Sequence, residues 1–139
     1  MKLIKTMHVQ HEYTYDSVKK VADDIGEHND CAVKAVCLAT RTPYERVHQL
    51  FLDAGRRFRG RTKDEYTYTV LSTLGVHLME IPHVPNTVRE CERDLRFSNN
   101  YLIWTRGHIL AMINGTVQDW TNGRRHRPKK VYMVCNSQS

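Results

Sequence analysis

No apolar run in this sequence comes near the roughly 18 residues that a membrane helix needs. The opening residues, MKLIKTMHVQHEY, lack the long apolar core of a secretory signal. A membrane span, a membrane partner and classical secretion are therefore not expected. A cytoplasmic location is expected, in the host cytoplasm if the source is viral. There are only four cysteines, Cys31, Cys37, Cys91 and Cys135, with no CxxC pair. Their separations of 6, 54 and 44 residues match no zinc module, so no metal is expected. Two disulfides would use all four, but a chain of this length without a signal is expected to keep its thiols reduced. There is no internal repeat and no low-complexity tract. Apolar residues at 40% and charged residues at 26% exclude disorder and collagen. Residues 1–139 are read as one domain with a sizeable core.

Acidic residues are missing from two stretches that are dense in base. One holds Arg56, Arg57, Arg59 and Arg61; the other holds Arg124, Arg125, Arg127, Lys129 and Lys130. The 21 basic residues less these nine leave 12 against 15 acidic ones. The charge of +6 thus describes a mildly acidic body with two basic patches. Phe58 interleaves with the first patch, which suits a nucleic-acid base or an acidic protein. No RRM, KH or zinc-finger motif accompanies it. Both stretches could equally be loops around a cleft that favours an acidic substrate.

Helix signals come first and strand signals follow. Asn29-Asp30 precede CAVKAVCLAT, so a buried helix is expected to start near Cys31. Thr42-Pro43-Tyr44-Glu45 and Thr62 with Glu65 read as capping boxes opening two amphipathic helices, which end at Gly55 and Gly75. Thr87 with Glu90 opens a fourth, short helix. VHLMEI (76–81), YLIWT, HILAMI, TVQDW and VYMVC (131–135) read as strands. The expected fold is α+β, with N-terminal helices packed on a C-terminal antiparallel sheet.

Asn114-Gly115 is a strong hairpin signal. A two-residue turn there pairs Ile113 with Thr116 and Met112 with Val117. Extended further, the register puts His108 and Asp119 on one face as diagonal neighbours, about 7–8 Å apart at Cα. An imidazole beside a carboxylate is an oriented base that wants a nucleophile. Cys31, at a helix N-terminus, is the candidate, because the helix dipole and first-turn N–H groups stabilise a thiolate and a developing oxyanion. Cys37 and Cys91 fall on apolar helix faces and are read as core, Cys135 as inert, and His48 as a surface residue. Trp120 is placed to shield the His108–Asp119 pair or to pack in the sheet.

His28-Asn29-Asp30-Cys31-Ala32-Val33-Lys34-Ala35 resembles the D-C-G-x-x-A start of the catalytic helix in papain-like cysteine peptidases. The nearest branch is the bacteriocin-leader, or double-glycine, processing peptidases. His108 to Gly115, followed by Asp119, resembles that branch's H-x-x-(V/A)-x-x-x-G…D hairpin. The resemblance covers about residues 25–120, beyond which lies the basic loop 124–130. It implies a papain-like fold and a cofactor-free triad. Cys31 would be the nucleophile, His108 the general base and acid, and Asp119 the residue orienting His108. It departs at Ala32, where the family has Gly, and at Ile25, where the family has a Gln that completes the oxyanion hole. Asn29 either supplies that amide or caps the helix. The implied activity is peptide hydrolysis through a thioester; the same triad serves glutamine deamidation or acyl transfer. The other class of function is a non-catalytic binding module or inhibitor, such as a phage or effector protein, that contacts nucleic acid or an acidic protein through the two basic patches.

Overall fold

A computed structural model describes residues 12–96, 98–118 and 126–136. Its elements run α1 (Tyr15–Asp24), α2 (Cys31–Thr40), α3 (Tyr44–Ala54), α4 (Asp64–Thr73), β1 (Val76–Glu80), α5 (Val88–Asp94), β2 (Tyr101–Thr105), β3 (His108–Ile113), β4 (Thr116–Gln118) and β5 (Lys130–Asn136). The strands form one antiparallel sheet in the order β1-β5-β2-β3-β4. The molecule is α+β, helices first and strands mostly after.

Helix α2 is the centre of the helical layer. Ala32, Val33, Ala35, Val36, Cys37, Leu38 and Ala39 are all buried, as an apolar pattern around the whole helix requires. Each fully buried Val or Leu there stabilises the fold by about 1.5–3 kcal/mol. The helix packs with α1, α3 and α4 against one face of the sheet, through Leu102, Trp104, Ile109 and Ala111. Tyr101, Ile103, Leu110, Met112, Val117 and Val131 point to the other face, where α5 covers them with Val88 and Cys91. The alternation along β2 and β3 therefore divides two cores.

Helix α1 occupies a segment to which the local signals assigned no element. Its start is a capping box: the Ser17 N–H donates to Thr14 Oγ1 at 3.2 Å, and the Thr14 N–H donates to Ser17 Oγ at 3.2 Å. Val18, Val21 and Ala22, at helical spacing, turn toward α2. Of the three expected boxes, only Thr87–Glu90 forms, with both bonds at 3.1 Å. The Thr42 hydroxyl meets Thr40 Oγ1 at 2.8 Å instead of capping α3, whose N-cap is Pro43. The Thr62 hydroxyl accepts from Arg56 Nε at 3.0 Å, and α4 starts after Lys63. Helix ends at Gly55 and Gly75 occur as expected, both glycines at positive φ.

The β3–β4 hairpin has the expected register, Ile113↔Thr116, Met112↔Val117 and Ala111↔Gln118. Asn114 and Gly115 stand at φ 52° and 79°, the pair of left-handed residues that a type I′ turn needs. The final strand β5 inserts between β1 and β2.

Candidate active site

A cleft of about 750 Å³ opens between the start of α2 and the β2–β3 end of the sheet. Cys31 and His108 both line it. Cys31 is the first residue of α2 and is partly buried. The N-cap, Asp30, makes no side-chain cap bond, so its carboxylate does not occupy the first-turn N–H groups of α2. The Asp30 carboxylate is instead buried and paired. Oδ2 accepts from the Tyr44 hydroxyl at 2.6 Å, and Oδ1 takes Lys34 Nζ at 2.8 Å. Burial, reinforced by that bond, pushes the Tyr44 phenol far above its ordinary value, so it remains a donor.

The loop before α2 is held by a buried ionic hub. Glu27 Oε2 accepts from Arg56 Nη1 at 2.9 Å and contacts His48 Nε2 at 2.6 Å. Oε1 accepts from the N–H of His28 at 2.9 Å, the N–H of Arg59 at 2.8 Å and Arg56 Nη2 at 3.2 Å. Burial alone would raise the Glu27 pKa, but the bonds from Arg56, His48 and the His28 N–H outweigh it and hold the carboxyl at about 2. Arg56 Nη2 also reaches the carbonyls of His28 and Asn29 at 3.1 and 3.3 Å. One guanidinium thus ties the three residues 27–29, two positions from the cysteine.

Two expectations change at this hub. Arg56 is 2% exposed and belongs to the interior, not to a surface patch. His48 is also not a surface residue: it bonds Glu27 and stacks on Tyr44 with ring centroids 5.7 Å apart. The remainder of the first basic stretch is mixed. Arg59 Nε donates to the Gly26 carbonyl at 2.6 Å, and its guanidinium lies 5.2 Å from the Phe58 ring. Arg57 and Arg61 are exposed, and Arg61 lines the cleft. In the second stretch Arg127 and Lys129 are exposed, Lys129 and Lys130 line the cleft, and Arg124 and Arg125 lie outside the described residues.

Asn29 lines the cleft at φ 59°, a left-handed conformation that Asn tolerates better than most residues. It is not the N-cap of α2, and its side-chain amide donates to the Arg59 carbonyl at 3.1 Å. His108 opens β3 just after the Arg106-Gly107 turn, with Gly107 at φ 70°. Ile109 and Ala111 face α2, so strand alternation puts His108 with Leu110 and Met112 on the α5 side. Its place at the strand's first residue nevertheless brings it to the cleft that Cys31 lines. Asp119 and Trp120 lie outside the described residues; β4 is described to Gln118, whose Oε1 accepts from the Tyr15 N–H at 3.1 Å. Cys37 and Cys91 are core residues as expected, and burial pushes the Cys91 thiol up to about 12. Cys135 is half-buried.

Trp104 and Asp64, in the cleft, carried no local functional signal, and Lys130 was singled out only for its charge. Trp104 donates from Nε1 to Asp64 Oδ1 at 3.0 Å, which joins the start of α4 to β2. Lys130 donates to the Tyr68 hydroxyl at 3.1 Å and lies 5.8, 5.7 and 6.0 Å from the ring centroids of Tyr68, Trp104 and Tyr132. Among the described residues no three His, Cys, Asp or Glu side chains stand together to hold a metal ion. No described helix is long and apolar enough to cross a membrane. In comparisons with known proteins, no family model, no curated protein and no solved structure matched the chain.

Proposed function

We propose that this chain is a cysteine-dependent acyl hydrolase of papain-like fold, acting as a peptidase. The observation that carries the reading is that one cleft is lined both by a cysteine at a buried helix's first turn and by a histidine at a strand end. The helix dipole and the first-turn N–H groups favour the Cys31 thiolate and a developing oxyanion.

In the proposed reaction the Cys31 thiolate adds to the substrate carbonyl, while His108 holds the thiol proton. His108 then gives that proton to the leaving amine as the tetrahedral adduct collapses to a thioester. Water, deprotonated by His108, adds to the thioester and releases the acid and the thiol. Asp119 is proposed to hold the imidazole tautomer, on the strength of the hairpin register. The amide of Asn29 is engaged with Arg59, so the first-turn N–H of α2 is the better-supported oxyanion donor. Glutamine deamidation uses the same steps on a side-chain amide, and acyl transfer replaces water by an amine. A non-catalytic binding module is the second reading. It is favoured by Ile25, which is 38% exposed where the family carries its oxyanion Gln.

An epoxysuccinyl peptide, which alkylates catalytic thiols, tests the proposal. The expected result is a single adduct on Cys31, slowed by roughly 10²–10⁴-fold in His108→Ala. Equal labelling of Cys31 and Cys135, or labelling indifferent to His108, would remove the support for a hydrolase.

A further inference from the structure

The two basic stretches, far apart in sequence, each send part of their charge to the same cleft. Arg61 comes from the first, Lys129 and Lys130 from the second. The other described members do different work or point elsewhere. Arg56 is buried against Glu27, Arg59 is tied to Gly26, and the exposed Arg57 and Arg127 do not line the cleft.

Both cleft-lining segments are fixed through Trp104. Its carbonyl accepts from the Lys129 N–H at 2.7 Å, and its indole donates to Asp64, three residues beyond Arg61. Thr62, next to Arg61, is held by Arg56. The charged heads of Arg61 and Lys129 are thus carried on anchored backbone.

Among the described residues that line the cleft, the balance of charge is positive. Its described lining holds Lys34, Arg61, Lys129 and Lys130 against Asp30 and Asp64. Lys34 and Asp30 neutralise each other. Lys130 is held over three aromatic rings, so it adds to the field more than to direct contact. Asp64 accepts the Trp104 indole N–H. Among the described lining, Arg61 and Lys129 are the exposed cations placed to meet a ligand.

We propose that the cleft takes an acidic polypeptide segment, whose carboxylates Arg61 and Lys129 receive while its backbone lies beside Cys31 and His108. This rests on the reading of the cleft as a substrate site. A polypeptide fits better than a nucleic acid because the cleft offers little for bases to stack on. Its described aromatic residues are Tyr15 and Trp104. Trp104 is 4% exposed, stacked on Tyr68 and met edge-on by Tyr132. Sequence-tolerant strand binding relies on open rings, and the exposed Phe58 does not line the cleft.

The test is fluorescence anisotropy on full-length Cys31→Ala protein, in which no turnover occurs. The probes are a short labelled peptide of alternating Glu and Ala, a matching Lys and Ala peptide, and a labelled oligothymidylate. The expected result is binding of the acidic peptide alone. Arg61→Gln and Lys129→Gln should each weaken it roughly threefold, and the double variant roughly tenfold. Arg57→Gln and Arg127→Gln, exposed but off the cleft, should leave it unchanged. Equal binding of both peptides, no binding of the acidic one, or equal effects of all four substitutions would overturn the proposal. Tight oligothymidylate binding with a steep salt dependence would overturn it in favour of a nucleic-acid module. The hydrolase reading fails separately: it falls if Cys31 in the wild-type protein is not labelled by the epoxide, whatever the peptides do.

Discussion

The loop that delivers Cys31 and the hairpin that delivers His108 are held by different forces. Residues 26–30 contain two positions at positive φ, Gly26 and Asn29, and their conformation is enforced from outside by Arg56, through Glu27, and by Arg59, through the Gly26 carbonyl. The β2–β3–β4 hairpins are held by their own backbone ladder and by apolar residues on both faces. A loop of this kind depends on a few side chains that must all be present. A hairpin spreads its support over many small contacts. The first should fail abruptly when one partner is removed, and the second should weaken by degrees.

The largest expected effect is on the loop side. Glu27→Ala leaves the Arg56 charge buried without its carboxylate, with only neutral acceptors at Thr62, His28 and Asn29, which should destabilise the protein by roughly 3–5 kcal/mol. Urea unfolding followed by Trp fluorescence measures it. A loss below about 1 kcal/mol would mean that the hub is not what holds the loop.

Acid attacks the same support. The folded-state pKa of Glu27, about 2, lies below its ordinary 4.5, so the fold favours the carboxylate. Its contribution of about 3 kcal/mol is fully present above the ordinary value and is lost as pH falls toward the folded one. The unfolding midpoint should therefore drop between pH 4.5 and about 2. Glu27→Gln should flatten that part of the profile.

On the hairpin side, Asn114→Ala places a less tolerant residue at φ 52° and should cost about 1 kcal/mol. The smallest effect should come from Thr87→Ala, far from both supports. It removes one bond of the α5 capping box and should cost at most about 1 kcal/mol, with Cys31 reactivity unchanged. If Asn114→Ala proved as damaging as Glu27→Ala, the contrast between the two supports would collapse.

What was legible in the sequence follows the same division. The Asn114-Gly115 turn is local chemistry, and the register of its hairpin followed from it as far as Gln118. The start of α2 at Cys31 followed from Asn29-Asp30 and the apolar run behind them. The Thr87–Glu90 box forms with both its bonds, whereas Arg56 captures Thr62 and Thr40 engages Thr42. Helix α1 has only a weak local mark, the helical period of Val18, Val21 and Ala22. The placement of β5 between β1 and β2 left no local mark. Nor did the hub: Glu27 and Arg56 stand 29 residues apart, and an arginine in a run of arginines reads as surface until its partner is known. Of the site, the placement of Cys31 and His108 on one cleft agrees with the sequence pattern, and the role of Asp119 still rests on that pattern.

The central claim is that Cys31 and His108 work as a pair. Its most direct test is the rate of iodoacetamide alkylation at each cysteine against pH, read by peptide mass spectrometry in wild type and His108→Ala. Cys31 should react well below the ~8.5 of an ordinary thiol, outpace Cys135, and lose that lead in His108→Ala, while buried Cys37 and Cys91 stay silent. If Cys31 titrates like an ordinary thiol and ignores His108, the pair does not exist and the account of the cleft as a catalytic site is wrong.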